Sequence, residues 1–106
     1  LQKGVSPAAK DTDDMTALHW AAASGSLNSM RWLLDHGAPL EVRNTWGGTV
    51  LDSTGYFAVN SPFPGADYGA VFEILLAAGA NPREVSPFPL GIAALDALIE
   101  GALNAH

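Results

Sequence analysis

Cysteine is absent from all 106 residues. That excludes disulfides and thiolate metal sites, so stability has to come from packing and hydrogen bonds. Basic residues are scarce: Lys3, Lys10, Arg31, Arg43 and Arg83 stand against 11 acidic residues, for a formal net charge of −6. So little positive charge cannot neutralise a phosphate backbone, and nucleic acid is not an expected partner. Long apolar runs are missing too. The uninterrupted ones span a few residues, far short of the roughly 20 that a bilayer-spanning helix needs. No basic segment followed by an apolar block opens the chain. These absences predict a soluble, cytoplasmic, monomeric protein with no membrane partner.

What is present suffices for one core. The hydrophobic share is 48%, and the length suits a single domain of on the order of 100 residues. A self-similarity then organises the chain. Thr16 of "TALH" and Thr49 of "TVLD" stand 33 residues apart, as do Gly4 of "KGVSP" and Gly37 of "HGAPL". The segment Ser29 to Val42 matches Ala70 to Val85 through Leu-Leu-x-x-Gly-Ala, but Gly37 and Gly79 are 42 residues apart. The second unit therefore carries nine extra residues between Leu51 and Ala70. The composition of the segment in which they fall, "AVNSPFPGAD" from Ala58 to Asp67, predicts a loop.

Each unit reads as helix, turn, helix and an extended finger. Thr16 and Thr49 occupy N-cap positions, Gly25 breaks the first helix, and a second helix is expected from about Leu27 to His36. Leu27, Met30, Leu33 and Leu34 form its apolar stripe, and Trp32 is expected within the core. Gly37 and Gly79 fall just past helix C-termini, where a positive φ is required. Pro39 and Pro82 then bar continuation of the helix.

A period of 33, Thr-x-Leu-His-x-Ala-Ala, a central Gly and Leu-Leu-x-x-Gly-Ala together resemble ankyrin repeats. The resemblance covers about Asp11 to Val85, and it implies an all-α solenoid of helix-turn-helix units with β-turn fingers. The units would be 11–43 and 44–85, the second with its insertion near 58–67. Residues 1–10 would be the tail of a preceding repeat; with Leu1 where an initiator Met would stand, a segment of a longer protein is expected. Residues 86–106 would form a degenerate capping helix pair or one helix from about Leu90 to Glu100. The second unit departs from the family pattern at Asp52, where His is usual, and at Val50, where Pro is usual.

The resemblance gives Thr16, His19, Gly37, Thr49, Asp52 and Gly79 structural roles. His19 and Asp52 hold equivalent places in adjacent units, so Asp52 is expected close enough to favour a protonated His19. No catalytic residue is expected. An activated nucleophile with an oxyanion site is missing, there is no Gly-x-Ser-x-Gly elbow, and "WGGT" lacks the Lys-Ser/Thr ending of a phosphate cradle. His19, His36 and His106 show no metal-ligand spacing. Cofactor and metal sites are accordingly expected to be none.

The resemblance instead implies a non-catalytic module that binds a partner protein through its concave groove and finger tips. Its candidate contacts are Asp13, Met15, Trp20, Arg43, Trp46 and Phe63. Trp20 and Trp46 could equally be covered by a flanking repeat, and the rings near the loop, Tyr56, Phe57, Phe63 and Tyr68, could fold back over the helix ends. Asp11, Asp13 and Asp14 fit either turn capping or steering of a basic partner. The alternative function is intramolecular, with the array packing on another domain of its parent.

Overall fold

The computed structural model describes residues 10–85 and 89–104; the expectations for residues 1–9, for 86–88 and for His106 lie outside them. Among the described residues five α-helices follow one another: α1 (Ala17–Ser24), α2 (Leu27–Asp35), α3 (Val50–Asn60), α4 (Tyr68–Ala77) and α5 (Ala93–Asn104). One 3-10 turn, Pro82–Glu84, lies between α4 and α5. Among the described residues there is no β-strand, only a single bridge between Lys10 and Thr16. The fold is the all-α helix-turn-helix array that the repeat implied.

Local chemistry sets the boundaries. Thr16 caps α1 through a reciprocal box with His19, and Thr49 accepts from the Asp52 amide at the start of α3. Such caps contribute about 1 kcal/mol each. Gly25 turns the chain out of α1 at φ +75°. Gly37 and Gly79 follow α2 and α4 at φ +82° and +106°, the left-handed conformation in which a Cβ is unfavourable. Pro82 does not begin extended chain but opens the 3-10 turn, at a first helical position where its missing N–H costs nothing. Beyond it a single helix forms, three residues later than expected. Asp96 ties its entry by accepting from the Leu90 and Gly91 amides at 2.7 and 3.0 Å.

Helices pack in chain order, α1 on α2 and α3, α3 on α4, and α4 on α5. Between them lie the fully buried Leu18, Met30, Val50, Leu51, Val71, Phe72, Leu75 and Ile99. Each large apolar side chain removed from water contributes roughly 1.5 to 3 kcal/mol. Gly55 on α3 is part of this fit, since a Cβ there would stand 3.4 Å from both Leu90 methyls. Trp32 is not part of it. Met30 and Leu33 take the buried stripe, while Trp32 is turned off it, 44% exposed, and stacks on His36 at 3.7 Å between ring centroids.

The insertion is only partly a loop. Ala58, Val59 and Asn60 prolong α3, which ends at Ser61 because the residue before a proline is disfavoured in α conformation. The shorter loop that remains folds back on the first unit. Tyr68 donates its hydroxyl to the Ala23 carbonyl at 2.6 Å and accepts from the Phe63 amide at 3.0 Å. Ala66 presses on the first turn, so a Cβ at Gly25 would come within 2.8 Å of the Ala66 Cβ.

Two glycines with similar backbones separate strain from this contact. Gly25→Ala should cost about 2 to 4 kcal/mol, combining left-handed strain with overpacking against Ala66. Gly37→Ala, with open space around it, should cost about 1 to 2 kcal/mol from strain alone. Urea unfolding of both variants checks this, and equal losses would remove the Ala66 contact from the explanation.

Candidate partner-binding groove

The two units are joined by a buried histidine. His19 is fully buried, and its Nε2 faces the Gly48 carbonyl at 3.3 Å. A carbonyl only accepts, so the ring carries its proton on Nε2 and leaves Nδ1 as the acceptor. Nδ1 in turn meets the Thr16 amide at 3.1 Å and the Thr16 hydroxyl at 2.9 Å. One imidazole thereby caps α1 and reaches across to the next finger. Burial holds its pKa below the ordinary value; Lys10 adds to that, while the Gly48 carbonyl and the Asp11 carboxylate oppose it. The direction is the reverse of the protonated state expected from Asp52, because desolvation outweighs the charges that favour the imidazolium.

The fingers are tied to one another as well. The Thr45 amide donates to the Asp13 carbonyl at 2.9 Å, and the Thr45 hydroxyl to Asp14 at 3.3 Å. Asn44 is nearly buried: its Oδ1 accepts from the Trp46 and Gly48 amides, while its Nδ2 points at the Met15 sulfur. Further along, Arg43 pairs with Glu84 at 2.6 Å and Glu41 accepts from the Asn81 amide at 3.0 Å. Both of these contacts are exposed, where ion pairs contribute little.

Above the seam lies a cavity of about 500 Å³, walled by Trp20 on α1, by Asp13, Met15, Asn44, Trp46 and Gly48 on the fingers, and by Asp52, Ser53, Tyr56 and Phe57 on α3. Trp46 is 73% exposed, Tyr56 61% and Trp20 40%. Trp20 is held in place by its own indole N–H, which donates to Asp11 at 2.7 Å. That bond, followed by those from the Met15 and Asp13 amides, keeps the Asp11 carboxyl below its usual pKa. Phe57 continues the row, its ring 6.1 Å from Trp20 and from Phe63.

Residues 1–52 match the family profile for ankyrin repeats (many copies). The first half of this chain is ankyrin-repeat sequence. A potassium channel, KOR2, from Oryza sativa subsp. japonica is 38% identical over 52 residues, 49% of this chain and 7% of the channel. A palmitoyltransferase, ZDHHC13, from Mus musculus is 44% identical over 41 residues, 39% of this chain and 7% of that enzyme. The chain thus covers a small part of the length of either relative.

In this array the expected contact residues do not all converge. Asp13, Trp20 and Trp46 line the groove. Met15 also reaches it but is only 3% exposed, so it forms the floor. Arg43 is engaged by Glu84 and the Gly47 carbonyl, outside the lining. Phe63 lies on the insertion, against Phe57. Tyr56 and Phe57, read from sequence as rings near the loop that could fold back over the helix ends, lie on α3 and line the groove. Of the acidic trio, Asp11 accepts from two amides of its own turn and Asp14 adopts φ +59°; these are turn-forming roles. Among the described residues no group of three or more His, Asp and Glu is placed to hold a metal ion.

His19 makes the repeat seam sensitive to acid. The unfolded chain binds a proton on this imidazole more readily than the folded one, so its stabilising contribution is whole above pH about 6.5 and is lost as pH falls below that. Urea midpoints at pH 7.5 and 5.5 should show the chain weakening toward the lower pH, with the dependence much reduced in His19→Gln. An unchanged pH dependence in that variant would contradict a neutral buried His19.

Proposed function

We propose that this chain is a non-catalytic recognition module, as ankyrin repeats generally are modules of protein–protein interaction, a single array with units at 11–43 and 44–85 that holds a partner protein in the groove between its first two fingers and α3. The observation that carries the reading is the grouping of Trp46, Tyr56, Trp20 and Phe57 around one cavity. Exposed aromatic side chains cost solubility unless a partner covers them, and Trp and Tyr are enriched among residues that dominate binding energy. Rigid placement adds to this: Trp20 is tied to Asp11, and the finger bearing Trp46 is held by Asn44, so little conformational freedom is lost on binding.

A second reading, packing of the array on another part of its parent chain, is favoured by a different feature. Trp32 stands exposed beside a shallower hollow of about 490 Å³ between α1 and α2, lined by Ala17, Ala21 and Leu33 among others. That face would be covered in an intramolecular arrangement and bare in the chain alone.

Capture from a lysate of the source cells separates the two. A Trp46→Ala, Tyr56→Ala double variant changes only well-exposed side chains and should keep the circular dichroism of the parent. A protein retained by the unaltered chain and reduced at least tenfold with this variant is the expected result. The same proteins captured equally by both would remove the groove as the recognition surface; loss confined to Trp32→Ala would favour the second reading.

A further inference from the structure

The chemistry of the groove narrows what it can hold. Three of its polar side chains spend their donors inward: the Trp20 indole N–H on Asp11, the Asn44 amide on Met15 and the Ser53 hydroxyl on the Val50 carbonyl. With its N–H taken, Trp20 can offer a ligand only its ring face. The described lining residues include two carboxylates, Asp13 and Asp52, and no Lys or Arg. Nearby cations are occupied elsewhere, Lys10 at the Arg43 carbonyl and Arg43 at Glu84. The cavity therefore presents aromatic faces and negative charge, on a chain whose formal net charge is −6.

From this we propose that the groove binds a cationic side chain, Arg or Lys, carried on an extended segment of a partner protein. This rests on the reading of the groove as a recognition surface. A cation over an indole or phenol face is attracted by the ring quadrupole, the more so when water is excluded. The carboxylates add charge-assisted hydrogen bonds to the same group and raise the rate of encounter. An acidic segment would set like charges against Asp13 and Asp52. A purely apolar one would cover the Asp13 carboxylate and take it out of water with no charge to offset that loss.

Selection from a phage library of random twelve-residue peptides, against the intact chain at low salt, tests the proposal. Selected peptides are then measured by titration calorimetry with the chain, with Trp46→Ala and with Asp13→Asn, whose side chain is not used in the finger hydrogen bonds and whose folding circular dichroism verifies. The expected result is a pool with Arg or Lys recurring at one position. Replacing that residue by Gln should weaken binding about five- to tenfold, with comparable losses for each protein variant and weaker binding as salt rises. Peptides that need Trp46 but carry no basic preference would overturn the cation proposal and leave the groove a recognition surface. Peptides that bind Trp46→Ala as well as the parent would overturn both. If no peptide is enriched, a short cationic segment is not what the groove holds, and the proposal fails.

Discussion

The joining of the first two units depends on one neutral imidazole held in a buried seam. His19 closes the first turn of α1 through Thr16 and reaches the Gly48 carbonyl of the following finger, so the same ring decides where a helix starts and how the next unit docks. Its geometry works with one proton, on Nε2. A second proton would turn the Nδ1 that accepts from Thr16 into a donor, and burial opposes that charge. The fingers built on this seam carry Asp13 and Trp46, and α1 and α3 carry Trp20 and Tyr56. The groove is thus a consequence of how one unit is joined to the next.

The two seams of the array are unlike. Between the first and second units some of the ties are buried, the imidazole, Asn44 and the Met15 sulfur, beside exposed ones such as the Thr45 hydroxyl on Asp14. Between the second finger and the 3-10 turn they are exposed, Arg43 with Glu84 and Glu41 with the Asn81 amide. Surface pairs are screened by salt and buried bonds much less so.

What could be read from the sequence was whatever is fixed within a few residues. The caps at Thr16 and Thr49 and the left-handed glycines at 25, 37 and 79 were legible, because each depends on its own backbone turn. The groove positions of Trp20 and Trp46 were legible by laying one unit on the other. Trp32 was misplaced because residue spacing assigns a stripe but does not say how wide a face the neighbours cover. The end of α3 was misplaced because the loop composition was averaged over ten residues, whereas only Pro62 acts, and it acts on the residue before it. Tyr56 and Phe57, which precede that segment, were grouped with its rings by proximity in sequence, and which face of α3 they occupy was not considered. The charge state of His19 could not be read either, since it follows from desolvation, a property of the assembled core.

The insertion gives the first two units a second point of attachment. Thr45 and Gly48 join them at the finger end of α1, while Tyr68 and Ala66 press on its other end, at Ala23 and Gly25, about 12 Å away for a helix of eight residues. Two bodies pinned at one point can hinge; pinned at both ends of a shared helix they cannot rotate without breaking one set of contacts. The nine extra residues therefore act as a brace that sets the width of the opening on the opposite edge, so the distance between its aromatic walls is decided before any partner arrives.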